Sequence, residues 1–339
     1  RQPAAPNHFR FISREEIMSR IHEALKKAEQ DRAMAPAAEV VTAPPPQSIE
    51  APMPVWSGDK GKASGVLEAP AQTGILAQPS ADYLRYEELI SRCAHPVWTP
   101  DPNMNVFGSE SGTPHAAEQF RTLRSRLYQV RSAQNLRTIL MTSSVPGEGK
   151  TFVTTNLAQS FVRQPDRRAL IIDGDLRCAR LHVPLGAPNS PGLSDYLRGN
   201  VDEFGVIQHG QEGNLCFIAG GSEVSDPSEL LSNGRLKKLL DRITPIFDWV
   251  IIDSPPCLPV ADSTILANYC DGILLVVRAG STATTVAQRA CQELQGRNVI
   301  GVVLNAVEQS HMYGSYYYQG YGYGYVKGEG DTGKRESNN

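Results

Sequence analysis

Residues 143–151 read Ser-Ser-Val-Pro-Gly-Glu-Gly-Lys-Thr and follow directly on the apolar run RTILMTS of residues 137–143. A glycine-containing turn between a strand and a helix is where backbone N–H groups and a helix N-terminus can hold phosphate oxygens. Gly147 and Gly149 permit close backbone approach, Lys150 is placed to reach the β- and γ-phosphates, and Thr151 can ligate Mg²⁺. Ser144, Pro146, Glu148 and Phe152 complete the stretch expected to contact a nucleotide, with Ser144 standing where the common G-x-x-x-x-G-K-T pattern has its first glycine.

Two carboxylate sites follow in the chain. The run ALIIDGD ends in Asp173 and Asp175, which are two positions apart and therefore lie on one side of an extended chain. One can act on a metal ion and the other on the proton of a nucleophile. In FDWVIIDSPP, four apolar residues lead to Asp253, a carboxylate suited to holding Mg²⁺ directly or through water, and Ser254-Pro255-Pro256 ends the strand. Seven of the twelve tyrosines then crowd into residues 313–325: Tyr313, Tyr316, Tyr317, Tyr318, Tyr321, Tyr323 and Tyr325, with glycines between them. Such a tract is either a sticky low-complexity segment or a set of phosphate acceptors on a pliant backbone.

The elements that must position these groups are legible in the apolar pattern. RTILMTS, RALIIDGD, NLCFIAG, DWVIIDS, GILLVV and NVIGVVLNAV read as strands, and helical stretches fall near residues 116–130, 151–161, 228–243 and 283–294. Continuous aliphatic runs alternating with helices predict an α/β fold, a doubly wound, mostly parallel sheet with helices on both faces. Residues 33–112 are read as a mostly flexible linker, since the Pro/Ala-rich part offers few bulky aliphatics to bury. Residues 1–32 contain an amphipathic helix with Ser13 and Glu16 as a capping box and Ile17, Ile21 and Leu25 on one face. That helix either packs on its own domain or docks on a partner. The enzyme domain is placed at 113–309 and the tyrosine tail at 310–339.

A net charge of −3 gives no electrostatic case for nucleic acid as a partner, and six scattered cysteines without a C-x-x-C pair suggest neither zinc nor a disulfide framework. A cytoplasmic setting is the expectation. The chain starts at Arg1, and we read it as open to being a piece of a longer protein.

Taken together, residues 113–325 resemble the bacterial tyrosine autokinases of polysaccharide export (BY-kinases), P-loop proteins related to the MinD/ParA ATPases. The family's S-x-x-P-G-E-G-K-[ST] segment is matched by Ser143–Thr151, its D-x-D-x-R segment by Asp173, Asp175 and Arg177, and its Walker B strand by Asp253. The usual Arg-Pro after that arginine is Cys178-Ala179 here, and His182 is retained. Glu118, Arg121 and Arg124 match an E-x-x-R-x-x-R subunit-contact motif on the preceding helix. Val145 stands where MinD/ParA proteins carry a signature lysine.

The resemblance implies ATP and Mg²⁺ as cofactors, with Lys150, Asp173, Asp175 and Asp253 as the catalytic set. Thr151, Asp175 and Asp253 would hold Mg²⁺ and Asp173 would accept the phenolic proton, an assignment that Asp175 could also fill. Asn305 would contact the adenine. It further implies a ring-like homo-oligomer in which the tail of one subunit is phosphorylated by the next, a membrane chain-length determinant (polysaccharide co-polymerase) as activator, and an opposing tyrosine phosphatase. The protein would sit peripherally at the inner face of the cell membrane and control exopolysaccharide chain length and export. The alternative is a MinD/ParA-like assembly ATPase without kinase activity, its tyrosine tail an adhesive segment.

Overall fold

The computed structural model describes residues 84–108, 114–211 and 213–307. The N-terminal amphipathic helix and the tyrosine tail lie outside the described residues. Among the described residues seven strands make one sheet: β1 (Thr138–Ser143), β2 (Ala169–Asp173), β3 (Ile207–His209), β4 (Leu215–Ile218), β5 (Trp249–Asp253), β6 (Gly272–Arg278) and β7 (Val299–Asn305). Their spatial order is β3-β4-β2-β5-β1-β6-β7. Every pairing is parallel except that of the short edge strand β3 with β4. The sheet is thus mostly parallel, as the aliphatic runs predict; β3, three residues reading IQH, carries no such run and escapes that reading.

Strands β1, β2, β4 and β5 are buried along their whole length, which is why their sequences lack polar alternation. Successive residues feed two separate cores, one on each face. Leu140, Leu170, Ile172, Val250, Ile252 and Leu275 pack into one, and Ile139, Met141, Ile171, Phe217, Ile251 and Val276 into the other. At about 1.5–3 kcal/mol for each large apolar side chain fully buried, these two layers supply most of the driving force for the fold.

The helices cover both faces. On the face of Ile139 and Ile251 lie α2 (Pro114–Ala133) and α3 (Lys150–Val162), where the ring of Phe161 stacks on Trp249 at 4.5 Å between centroids. The opposite face takes α1 (Tyr86–Arg92), α5 (Leu193–Arg198), α6 (Glu203–Val206), α7 (Pro227–Ser232), α8 (Arg235–Ile243), α9 (Asp262–Ala267) and α10 (Thr284–Glu293), while the single turn α4 (His182–Leu185) follows β2 on the first. The stretch read as one helix over 228–243 is two, divided at Asn233-Gly234, where Gly234 adopts φ +79°. In α8, Leu236, Leu239, Leu240 and Ile243 recur at helical spacing and are buried.

The domain begins earlier than the sequence suggests. Within the span read as linker, Leu84, Tyr86, Leu89 and Cys93 join one core, and Trp98 joins the other with its ring edge-on to Phe217. Residues around it are tied down by backbone bonds from Ala94 to Ile207, Thr99 to Gly186 and Asp101 to Pro184. Pro96, Pro100 and Pro102 give this segment a linker's composition, and Val97 is exposed, but Cys93 and Trp98 are buried.

Candidate functional site

In a parallel sheet every strand brings its carboxyl end to the same edge, and the chemistry-bearing residues collect there. β1 and β5 are neighbours, as are β5 and β2, and the register sets Asp173 opposite Asp253. Between the two aspartates of β2's end, Gly174 donates its N–H to the Asp253 carbonyl at 2.7 Å. A side chain there would fall 2.9 Å from that carbonyl oxygen, so the Asp-Gly-Asp sequence is what lets the turn lie against β5.

The phosphate loop leaves β1 and enters α3 through Gly147 at φ +83° and Gly149 at φ +91°. Left-handed backbone at both positions is cheap only for glycine. Gly149 caps α3, whose first N–H groups have no intrahelical acceptors and face the loop with the helix's positive end. The Nζ of Lys150 lies 3.4 Å from Asp175 Oδ2, with both side chains largely withdrawn from water. Thr151 Oγ1 donates to Asp253 Oδ2 at 2.7 Å, and Thr154 Oγ1 donates to Asp253 Oδ1 at 3.2 Å.

Asp173 is fully buried, and its two oxygens accept from the N–H groups of Asp175 at 3.2 Å and Leu181 at 2.9 Å. Burial, with the Asp253 carboxylate as neighbour, pushes its carboxyl well above the ordinary aspartate range. Burial also raises Asp253, to about 6, against the pull of the Lys150 ammonium and the Thr151 hydroxyl. Asp175, held by Lys150, also accepts from the N–H of Cys178 at 3.1 Å. Arg177 clamps the turn from outside: its Nε and Nη2 reach the two oxygens of fully buried Asp262 at 2.7 and 3.0 Å, and Ser228 Oγ joins at 2.5 Å.

These residues fit Mg²⁺ and a nucleoside triphosphate. Mg²⁺ takes oxygen ligands, usually one or two carboxylates together with substrate phosphates, and Thr151, Asp175 and Asp253 form such an oxygen set. At Gly147 the side on which a side chain would stand is open for at least 4 Å. Ser144 Oγ is buried with no hydrogen-bond partner among the described residues, a donor available at the base of the loop.

Several of the expected site residues have partners within the protein. The ring of Phe152 packs against Phe120 of α2, 6.0 Å between centroids. Glu148 turns inward and is 2% exposed, its carboxylate bound by the protein itself. Asn305 donates its amide N–H to the Glu148 carbonyl at 2.9 Å. On α2, Glu118 and Arg121 pair with each other at 3.0 Å on the surface, whereas Arg124 donates inward to the Ser160 carbonyl. Arg177 matches the sequence motif, but the anchors it finds, Asp262 and Ser228, carry no sequence signal because they are brought in from distant helices.

No family model matches the chain. Among curated relatives, tyrosine-protein kinase Ptk of Acinetobacter johnsonii is 33% identical over 210 residues, 61% of this chain and 28% of that protein. The chain therefore spans little more than a quarter of the length of such relatives. Among solved structures, the kinase domain of Escherichia coli tyrosine kinase ETK is 33% identical with a TM-score of 0.54, the match covering 59% of this chain and 77% of that one. The VpsO kinase domain is 31% identical with a TM-score of 0.52, covering 57% of this chain and 97% of the domain. With the phosphate loop, the paired aspartates and the strand order in place, the chain belongs to the bacterial tyrosine-kinase (BY-kinase) family.

Proposed function

We propose that the protein is an ATP-dependent tyrosine autokinase that phosphorylates its own C-terminal tyrosines. The observation that carries this is the convergence at one sheet edge of Lys150, Thr151, Asp173, Asp175 and Asp253 in a chain that ends in a tyrosine cluster. The phenolic oxygen attacks the γ-phosphorus, the bond to the β–γ bridging oxygen breaks, and ADP leaves. Lys150 and the N–H groups of the loop orient the phosphates and stabilise charge on the transferring group, which is most of what a loose phosphoryl-transfer transition state requires. Thr151, Asp175 and Asp253 would hold Mg²⁺, which when bound would neutralise charge on the β- and γ-phosphates.

Asp173 takes the phenolic proton in this reading. Each of its oxygens accepts one backbone N–H and keeps a second lone pair with which to accept from the phenol. Transfer passes between subunits of a ring-like oligomer, with Glu118 and Arg121 supplying surface charge for the contact. Each phosphotyrosine adds roughly −1.5 to −2 charges, so a modified tail is repelled from a carboxylate-lined site and the ring disperses. A membrane chain-length determinant activates the kinase from the inner face of the membrane, a phosphatase resets it, and the cycle governs exopolysaccharide chain length and export.

The test is an anti-phosphotyrosine blot after incubation with Mg-ATP, comparing the intact chain, Lys150→Met and a chain cut before His311. Signal in the first alone is expected. No signal in the intact chain, with the activating partner supplied, sinks the kinase reading in favour of an assembly ATPase.

A further inference from the structure

Glu148 sits in the middle of the phosphate loop, yet its side chain points away from the loop's mouth. Its Oε2 accepts from the N–H of Val145 at 2.9 Å, which closes the loop on itself. Its Oε1 accepts from the N–H of Arg278, the last residue of β6, at 3.3 Å and from Thr282 Oγ1, in the turn that follows, at 2.5 Å. The Glu148 carbonyl accepts from the side-chain amide of Asn305, the last residue of β7, at 2.9 Å. Arg278 adds a guanidinium contact to the Gly147 carbonyl at 3.4 Å. The Asn305 amide also fills the space beside Gly149, where a Cβ would stand 2.0 Å from Nδ2.

We infer that Glu148, Thr282 and Asn305 are positioning residues, a strut centred on the buried Glu148 carboxylate that holds the phosphate loop in its nucleotide-accepting shape and fastens it to the ends of β6 and β7. Two donors approach the carboxylate from one side and one from the other, so both oxygens are needed as acceptors. A carboxylate meets that demand and a glutamine does not, because one of its two positions is itself a donor. Ala306 follows Asn305 at φ +54°, a conformation that costs a non-glycine residue energy and turns the chain directly after the strut. The loop that binds the phosphates and the point from which the chain runs on to its tyrosines are therefore one connected unit. The inference rests on the nucleotide-binding part of the reading above and not on tyrosine transfer.

The test measures binding of a fluorescent ADP analogue with Mg²⁺, separately from phosphotyrosine formation, in the full chain. Thr282→Val keeps the side-chain shape and removes one donor on the far side of Glu148 from the loop mouth; a few-fold loss of affinity is expected. Glu148→Ala should lose tenfold or more, and Glu148→Gln should fall between. The double variant Glu148→Ala/Thr282→Val should bind no more weakly than Glu148→Ala alone, since the strut is already gone. In steady state the same variants should raise KM for ATP more than they lower kcat. Unchanged affinity in Thr282→Val and Glu148→Gln, or losses that multiply in the double variant, overturns the strut. If Glu148→Ala fails to fold, those two single variants decide. A wild-type chain that binds the analogue but forms no phosphotyrosine with the activating partner supplied ends the kinase reading and leaves the strut to be judged on affinity alone.

Discussion

The Cα of Asp173 pairs with that of Asp253 across β2 and β5, so two carboxyl groups are held side by side in a dry edge of the sheet. Like charges in such a place cannot both ionise without cost. That cost is borne when no cation is present and is relieved when one arrives.

Asp253→Asn should therefore make the nucleotide-free protein more stable while abolishing transfer. The native pKa of Asp253, about 6, lies above the unfolded value of 3.8, so its contribution to stability is fully present below about 4 and is lost as pH rises through 6. At pH 7 the substitution should stabilise by on the order of 1–3 kcal/mol. Chemical denaturation without metal, across pH 4–7.5, reads both the gain and its disappearance at low pH. Binding of Mg-nucleotide by the wild type should weaken as pH falls below about 6.

Lys150→Met removes the cation that faces Asp175 and that, in the proposed reaction, orients the phosphates. Transfer should drop by about a hundredfold or more, the scale seen when a preorganised charge is taken from a transition state. Circular dichroism should show an intact fold, since Lys150 is not part of either core. Retention of most of the phosphotyrosine signal would show that the transferring phosphoryl group does not lie where Lys150 points.

The Arg177–Asp262 clamp should matter for both stability and rate. Arg177→Ala leaves a buried carboxylate with Ser228 as its remaining side-chain donor, and a loss of about 1–3 kcal/mol is expected. Arg177→Lys keeps the charge but not the two-pronged geometry, so it should recover much of the stability and less of the rate. Thermal melts together with kcat separate the two effects.

A chain beginning at residue 113 should be markedly less stable than one beginning at residue 84. The shorter chain uncovers the surfaces on which Tyr86, Leu89 and Trp98 pack. Trp98→Ala in the longer chain should cost about 3–5 kcal/mol, and Leu89→Ala about 2–5. Comparing melting temperatures and the tendency to aggregate checks this boundary.

Six of the seven strands were legible because each carries an unbroken apolar run, which burial on both faces demands of β1, β2, β4 and β5 and which the half-exposed edge strand β7 shares. The phosphate loop was legible because glycine at two left-handed positions followed by Lys-Thr has few other uses after such a strand. Trp98 and its neighbours were not, because a segment that packs through a few isolated side chains has no period to detect. The inward turn of Glu148 was hidden for a different reason. Apart from Val145, its partners come from residues 278, 282 and 305, more than a hundred positions away, and nothing in the local sequence distinguishes a glutamate that greets a ligand from one that braces the loop.

The fastening of Asn305 to the phosphate loop gives the tail a fixed origin. Tyr313 is eight residues beyond Asn305 and Tyr325 is twenty, so at full stretch they reach about 28 Å and about 70 Å from the loop of their own subunit. The tail is in this sense a graduated ruler pinned at zero. Under the proposed transfer between subunits, a receiving site farther away than the first mark would be served only by the later tyrosines, and the pattern of phosphate along the tail would measure the distance between donor and acceptor subunits.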